Sequence, residues 1–263
     1  MITKKMTAGF SAILLCGALL TGCGSGIPAN KVHSVADLNG KIIGVQEGTT
    51  GQTLAGDIQN ADVRPYAKAA DGVQALEQGV IDAVIVDMDT ANAFVETHES
   101  ITVLDEAFAD EEYAIAINRD NDALRKEINS ALMQLSMDGT LASIKKNYEG
   151  DEKGQHQYNV KADADRSKGT LIMATNAEFP PYEERIGQDI VGIDVDMMNA
   201  VCDYLGYELQ ISDMAFDAVI DAVVSNRADV GVAGLSVTEE RKALVDFSDV
   251  YATTKQVVIV RKK

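Results

Sequence analysis

Short apolar runs alternate along this chain with stretches whose apolar positions recur every three or four residues. The runs predict strands at 41–45, 63–66, 81–86, 101–104, 113–117, 170–174, 190–193, 207–211, 230–233 and 255–260. The longer-period stretches predict helices from 52, over 70–79, 89–97, 123–137, 195–205 and 217–225, with 137–148 resuming the 123–137 helix past Gly139. In 123–137 the residues Leu124, Ile128, Leu132 and Leu135 share one face, and Cys202 falls in the apolar period of 195–205 as a buried structural thiol. Strands that alternate with helices in this way imply an α/β fold built on largely parallel sheets. Residues 149–168 are polar and without period, which makes them a linker.

Two stretches share a design. A-D-G-V-Q-A-L-E-Q-G-V-I-D-A-V-I-V-D (70–87) and F-D-A-V-I-D-A-V-V-S-N-R-A-D-V-G-V-A-G (216–234) each run helix, polar turn, aspartate (Asp82 or Asp229), four apolar residues, and then a candidate functional position, Asp87 or Gly234. The second copy continues into L-S-V-T-E-E-R, where an apolar strand delivers Ser236, Thr238 and Arg241 to a turn at a helix start. Strand ends of this kind are where open α/β sheets bind small ligands. A second strand-to-helix loop, Q-E-G-T-T-G (46–51), offers backbone N–H groups suited to an anion such as a carboxylate, without the lysine and glycine spacing of a nucleotide loop.

Two lobes of one design, with strand ends facing, would set Gln46, Thr49, Thr50 and Asp87 against Asn176, Phe179, Gly234, Ser236 and Arg241. The chemistry of such a cleft is coherent. Arg241, with the Thr49–Thr50 turn, suits an α-carboxylate. Asp87 and the Gly234 carbonyl suit an ammonium group, and Phe179 and Phe216 supply apolar walls. Burying both charges of a zwitterion demands paired anchors of this sort.

The formal net charge of the 263 residues is −18, and without Lys4 and Lys5 it is −20; so acidic a chain repels phosphate backbones and argues against nucleic acid as a partner. Three His and three Cys are scattered without metal-site spacing, so neither a metal nor a cofactor is expected. The acid pairs Asp194/Asp196 and Asp87/Asp89 read as helix caps, with Asp87 shared with the ligand. Residues 1–22 carry Lys4 and Lys5 ahead of an apolar core from Ala8 to Leu20, the pattern of a signal peptide. Their end, Leu20-Thr21-Gly22-Cys23, resembles a bacterial lipobox, which implies cleavage before Cys23, a lipid on that cysteine and a tether over 23–31.

The motifs A-T-N-A-E-F-P-P-Y-E, I-V-G-I-D-V-D-M-M, A-G-L-S-V-T-E-E-R-K-A-L-V-D-F-S-D-V-Y and V-A-D-L-N-G-K-I-I-G-V-Q-E-G-T-T-G, with the 70–87 stretch, resemble the bacterial extracellular solute-binding proteins of family 3, the amino-acid receptors of ABC importers. The resemblance spans nearly all of 32–148 and 169–260. It implies a periplasmic-binding-protein-like fold: two α/β lobes around a ligand cleft. It further implies a free amino acid as ligand, an ABC permease as partner and an extracytoplasmic, lipid-anchored location. Carried over to this chain, Arg241 holds the α-carboxylate with Thr50 and Ser236, Asp87 and Gly234 hold the α-amino group, and Phe179 and Phe216 sandwich the side chain. Asn176 stands where members selective for polar or basic side chains place Asp, while Gln46 and the nearby Glu178 keep a polar ligand in view.

The order of the motifs departs from the family. Its members begin with the segment that here starts near Thr170, which makes this chain resemble a circular permutant joined through 149–168. That mapping gives a second lobe at 32–117, a helical return at 118–148 and a first lobe at 169–263, with one crossover at Ile117-Asn118-Arg119. A severed second crossover would loosen closure or favour a domain-swapped dimer over a monomer. The rival readings are a dehydratase-type enzyme on the same scaffold, with Glu178 as general acid, and a ligand-sensing module.

Overall fold

The computed structural model describes residues 27–263; the signal-peptide, lipobox and Cys23 readings lie outside them. The fold is α/β and periplasmic-binding-protein-like, with two main sheets and a small one. The first sheet runs Asp62–Tyr66, Ile42–Gln46, Ala83–Asp87, Ala252–Arg261 and Ile101–Val103, with Ala109–Tyr113 also paired to the long strand 252–261. Its first three strands are parallel and the long strand is antiparallel to its neighbours. The second sheet runs Glu208–Asp213, Thr170–Thr175, Val230–Gly231, Ala116–Ile117 and Asp246–Phe247. Here too the first three strands are parallel.

The repeat is real at the level of hydrogen bonds. Asp82 accepts the Ile42 N–H at 3.0 Å and returns its own N–H to the Ile42 carbonyl at 2.8 Å. Asp229 does the same with Ile172, at 2.7 and 2.9 Å. Each aspartate therefore staples the helix-to-strand turn onto the start of the neighbouring parallel strand. Helix Ala69–Glu77 precedes Asp82, and the shorter helix Val219–Val224 precedes Asp229.

The strand expected at 230–233 is shorter than its apolar run. Its ladder ends at Gly231, although Val232 still donates to the Ala174 carbonyl, because Gly234 turns the chain at φ +53°. The strand expected at 190–193 lies at Asp189–Val191 and gives way to a helix at Ile193, and its hairpin partner Glu183–Ile186 was not expected, since E-E-R-I-G-Q-D lacks an apolar run.

The lobe boundaries need one correction. The last strand belongs to the sheet of residues 42–113 and not to the lobe of 169–250: Gln256 pairs with Asp87, and Ile259 with both Val84 and Val103. Its Val257-Val258-Ile259-Val260 run is buried on both faces, a pattern that fits the middle of either sheet, so periodicity alone could not assign it. Consequently the lobes are joined twice, between Tyr113 and Ala116 and between Phe247 and Ala252. No crossover is severed, and the premise for loosened closure or swapping falls away. Both ends of the described chain meet at one edge of the 42–113 lobe: Arg261 donates to the carbonyls of Pro28, Leu76 and Ile81 at 3.3, 2.8 and 2.6 Å.

Helices Asp122–Met137 and Thr140–Tyr148 return to the other lobe, where Leu124, Ile128, Leu132 and Ile144 join a core with Met197, Met198 and Val201 of helix Ile193–Leu205. Cys202 is buried in that helix, as its period implied, and among the described residues it has no disulfide partner. The 149–168 segment is pinned rather than free. Asp203 accepts the Tyr158 hydroxyl at 2.6 Å and the Lys161 N–H at 2.9 Å, and it also pairs with Arg166. Among the described residues no helix is long and apolar enough to cross a membrane.

Candidate functional site

The expected residues converge where the two sheets face each other. Gln46, Thr49, Thr50, Asp87, Phe179, Phe216, Gly234, Ser236 and Arg241, together with Ala233, line one narrow cleft. Each reaches it from the end of a strand or the start of a helix, the positions from which a sheet edge can present polar groups without burying them unpaired.

Arg241 lies on the short helix Glu239–Lys242, whose N-cap Thr238 accepts the Arg241 N–H at 3.1 Å. Its guanidinium donates to the Ser236 carbonyl at 2.8 Å and, across the cleft, to the Gly48 carbonyl at 3.1 Å. It rests over the Phe216 ring, 5.5 Å from the centroid. These contacts hold the planar fork in place and leave it the formal cation of the cleft, even though burial pulls its pKa down against the pull of Glu111, Glu240 and Asp87. Opposite it, Thr49 caps helix Thr50–Gly56 by accepting the Gln52 N–H at 3.2 Å. That leaves the first turn of a helix beside the arginine, where a carboxylate is favoured.

Asp87 ends strand Ala83–Asp87 and is buried. Its carboxylate accepts the Tyr113 hydroxyl. Burial, with Glu111 adding to it, pushes its pKa up to about 7 against the opposing hydrogen bonds of Tyr113 and Gln256. Gly234 stands across from it at φ +53°, and a Cβ there would come within 2.5 Å of the Phe179 ring and 3.3 Å of Tyr113. Only glycine allows this approach. Its N–H donates to Asp194 at 2.9 Å, and among the described residues no hydrogen bond ends on its carbonyl. Ser236 is buried and donates its hydroxyl to Glu111.

Gln46 and Asn176 face each other and form an amide clasp between the lobes. The Gln46 amide donates to Asn176 at 2.9 Å, and Asn176 donates to the Met214 carbonyl at 2.8 Å. Phe179 stacks on Tyr182 at 5.6 Å and meets Tyr113 edge-on at 6.5 Å. Phe216 stands instead under Arg241, so the two phenylalanines serve different walls. Glu178 does not line the cleft: it pairs with Lys68 of the other lobe at 2.5 Å, half exposed. A general acid at this position would have to leave that ion pair first.

Sequence reasoning missed Tyr113, Glu111, Asp194 and Tyr182. Asp194 was read as a cap, yet it is the second residue of helix Ile193–Leu205 and bonds Gly234 rather than its own helix. Asp89 likewise accepts the Tyr182 hydroxyl of the other lobe at 2.7 Å. The cleft opens outward into a vestibule of about 720 Å³ that shares Thr49, Thr50, Ser236 and Arg241 and adds the acids Asp110, Glu111, Glu112, Asp217, Asp221 and Glu240. The arrangement offers a small dipolar molecule complementary ends: a fixed cation and helix start at one, and a carboxylate with a bare peptide at the other.

Comparison with known proteins agrees. Residues 171–263 match the family model of the bacterial extracellular solute-binding proteins, family 3. The likeness to that family lies in this part of the chain. The chain is 39% identical over 99 residues to the arginine-binding extracellular protein ArtP of Bacillus subtilis, 38% of this chain and 39% of that one. It is 35% identical over 91 residues to a probable histidine-binding protein of Neisseria gonorrhoeae, 34% of each chain. It is 34% identical over 121 residues to the L-cystine-binding protein TcyJ of Escherichia coli K12, 45% of this chain and 46% of that one. Each match spans less than half of the relative's length. Arg241, Ser236, Gly234, Phe216, Phe179 and Asn176 fall inside the family match, whereas Gln46, Thr49, Thr50 and Asp87 enter the site through the fold alone.

Proposed function

We propose that this chain is an extracytoplasmic receptor that clamps a free, polar amino acid between its two lobes and delivers it to an ABC importer. The observation that carries the reading is the convergence of Arg241 and Asp87, 154 positions apart, on one cleft with Gly234, Ser236 and the Thr49–Thr50 helix start. Arg241 takes the α-carboxylate, Asp87 and the Gly234 carbonyl take the α-ammonium, and Phe179, Phe216, Gln46 and Asn176 bound the side chain. The amide clasp favours a polar side chain over a purely apolar one, since an unmatched buried amide is costly. The arginine, histidine and cystine named for the relatives are all polar amino acids.

The chain is a circular permutant of the family order, held to the membrane by a lipid on Cys23. Two facts support the permutation: the family match lies at 171–263 rather than at the start of the chain, and the two ends meet at the edge of one lobe. Calorimetry of the purified protein against the twenty common amino acids tests the central claim. One or a few should bind with micromolar affinity, and Arg241→Ala should weaken that binding by about 2–4 kcal/mol, the cost of stripping one partner from a desolvated charge pair. Silence across the whole panel would overturn the reading.

A further inference from the structure

Behind Gly234 lies a second, fully buried pair of acids, Glu183 and Asp194. The backbone brings them together deliberately. Gly192, at φ +145°, lets the start of helix Ile193–Leu205 press on the 182–183 backbone, where a Cβ would meet the Tyr182 carbonyl at 2.0 Å. Ile193 and Asp194 then donate their N–H groups to the carbonyls of Pro181 and Tyr182, each at 3.0 Å. The result sets the carboxyl of Glu183 against that of Asp194. One Asp194 oxygen accepts both the Gly234 N–H and the Tyr251 hydroxyl, each at 2.9 Å. Among the described residues, both oxygens of Glu183 and the other oxygen of Asp194 find no N–H or hydroxyl donor.

Two buried carboxylates in contact cannot both ionise, because each raises the cost of charging the other and neither has a cation to offset its desolvation. Neither can both be neutral without cost, since the Gly234 N–H and the Tyr251 hydroxyl would then lose an anionic acceptor. The remaining arrangement gives the ionised carboxylate a donor on both oxygens: a proton on Glu183, donated to an ionised Asp194.

We propose that Glu183 and Asp194 hold one proton between them and together position the Gly234 peptide, the floor on which a ligand's ammonium group rests. The inference rests on the amino-acid reading of the cleft. It makes Glu183 and Asp194 positioning residues that touch no ligand, with the single negative charge of Asp194 seated directly behind the ammonium end of the site. Burial drives Glu183 far above the usual carboxylate range and Asp194 up to about 6, so the singly protonated pair prevails at neutral pH. The titratable groups facing the pair are Tyr182 and Tyr251 beside it and Asp213 beyond, and none of them supplies a positive charge.

Infrared spectroscopy of the full chain at pH 7 should show the carbonyl stretch of a buried protonated carboxyl on top of any contribution from Asp87, and that Glu183 band should be lost in the difference spectrum of Glu183→Gln against wild type. Calorimetric titration with L-arginine (and, should it be silent, with each other common amino acid) should give wild-type affinity in Glu183→Gln, whose amide still donates to Asp194. In Glu183→Leu, which offers no donor, affinity should fall about tenfold or more. A spectrum without a Glu183-dependent band overturns the proposal, as does a folded Glu183→Leu protein that binds like wild type. Should Glu183→Leu not fold, the band and the Glu183→Gln titration still decide it. A wild-type protein that binds no amino acid refutes the receptor reading, while the infrared band continues to report on the shared proton.

Discussion

The two repeat units, 70–87 in one lobe and 216–234 in the other, use one scaffold for opposite purposes. Both place an aspartate in the turn before the strand, and both aspartates make the same reciprocal pair of bonds to a neighbouring strand. Five residues later they diverge. The first unit ends in Asp87, a buried carboxylate raised towards neutrality. The second ends in Gly234, a bare peptide at positive φ pressed against Phe179. One lobe thus contributes charge to the cleft and the other contributes shape and a peptide dipole. The turn aspartates are structural and interchangeable, whereas the strand ends are neither.

The largest expected break in that comparison is at Asp87. An acid whose folded pKa lies above its unfolded value binds more protons when folded, so its contribution to stability is present below the unfolded pKa and is lost as pH rises through the folded one. Asp87, raised from an ordinary 3.8 to about 7 in the fold, should therefore destabilise the ligand-free protein progressively from pH 4 to 8, by up to about 4 kcal/mol. Asp87→Asn should flatten the melting temperature against pH over that window and raise it at pH 8, while cutting amino-acid affinity by about tenfold or more for want of an ammonium partner. A variant that gains stability and keeps full affinity would show Asp87 to be no ligand. Gly234→Ala attacks the other strand end. Positive φ costs about 1–2 kcal/mol for a residue with a Cβ, and overpacking against Phe179 about 1–3 kcal/mol more. A fall of several degrees in melting temperature, read by calorimetry, is expected.

Local signals made the α/β alternation and most of the site legible before any coordinates. Asp87 and Gly234 each sit directly behind an apolar run, while Arg241 and the Thr49–Thr50 turn sit a few polar residues beyond one, so their placement at strand ends and helix starts followed from sequence. What stayed hidden depends on partners far apart in the chain. Nothing around Tyr113 announces Asp87, and nothing in P-P-Y-E-E announces Asp194, because both pairings are made by the packing of separate elements. The last strand was misassigned for a related reason: a run apolar on both faces names its neighbours' chemistry and not their identity. The Glu183–Ile186 strand was missed because it is polar and only four residues long.

The turn aspartates give the next smaller effect and the sharpest control. Asp82→Ala and Asp229→Ala each remove a charged acceptor from a half-buried strand N–H, worth about 1.5–3 kcal/mol. If the two lobes use the device equivalently, denaturant midpoints should fall by similar amounts, and amino-acid affinity should change little in either. A large affinity loss in one variant alone would mean that its turn also shapes the cleft.

The smallest effect belongs to a charged contact that ties the lobes together outside the cleft. Lys68 and Glu178 meet at 2.5 Å with side chains 50% and 37% exposed. Partners this wet are screened by solvent and salt, and such pairs contribute about 0–1 kcal/mol. Glu178→Gln should therefore change ligand affinity by less than about fivefold at physiological salt, and the change should shrink further as salt is raised. That outcome assigns closure to the buried bonds between lobes, Gln46 with Asn176 and Ser236 with Glu111. An affinity loss that survived high salt would instead place Glu178 on the ligand, and the cleft's boundary would have to be moved outward to include it.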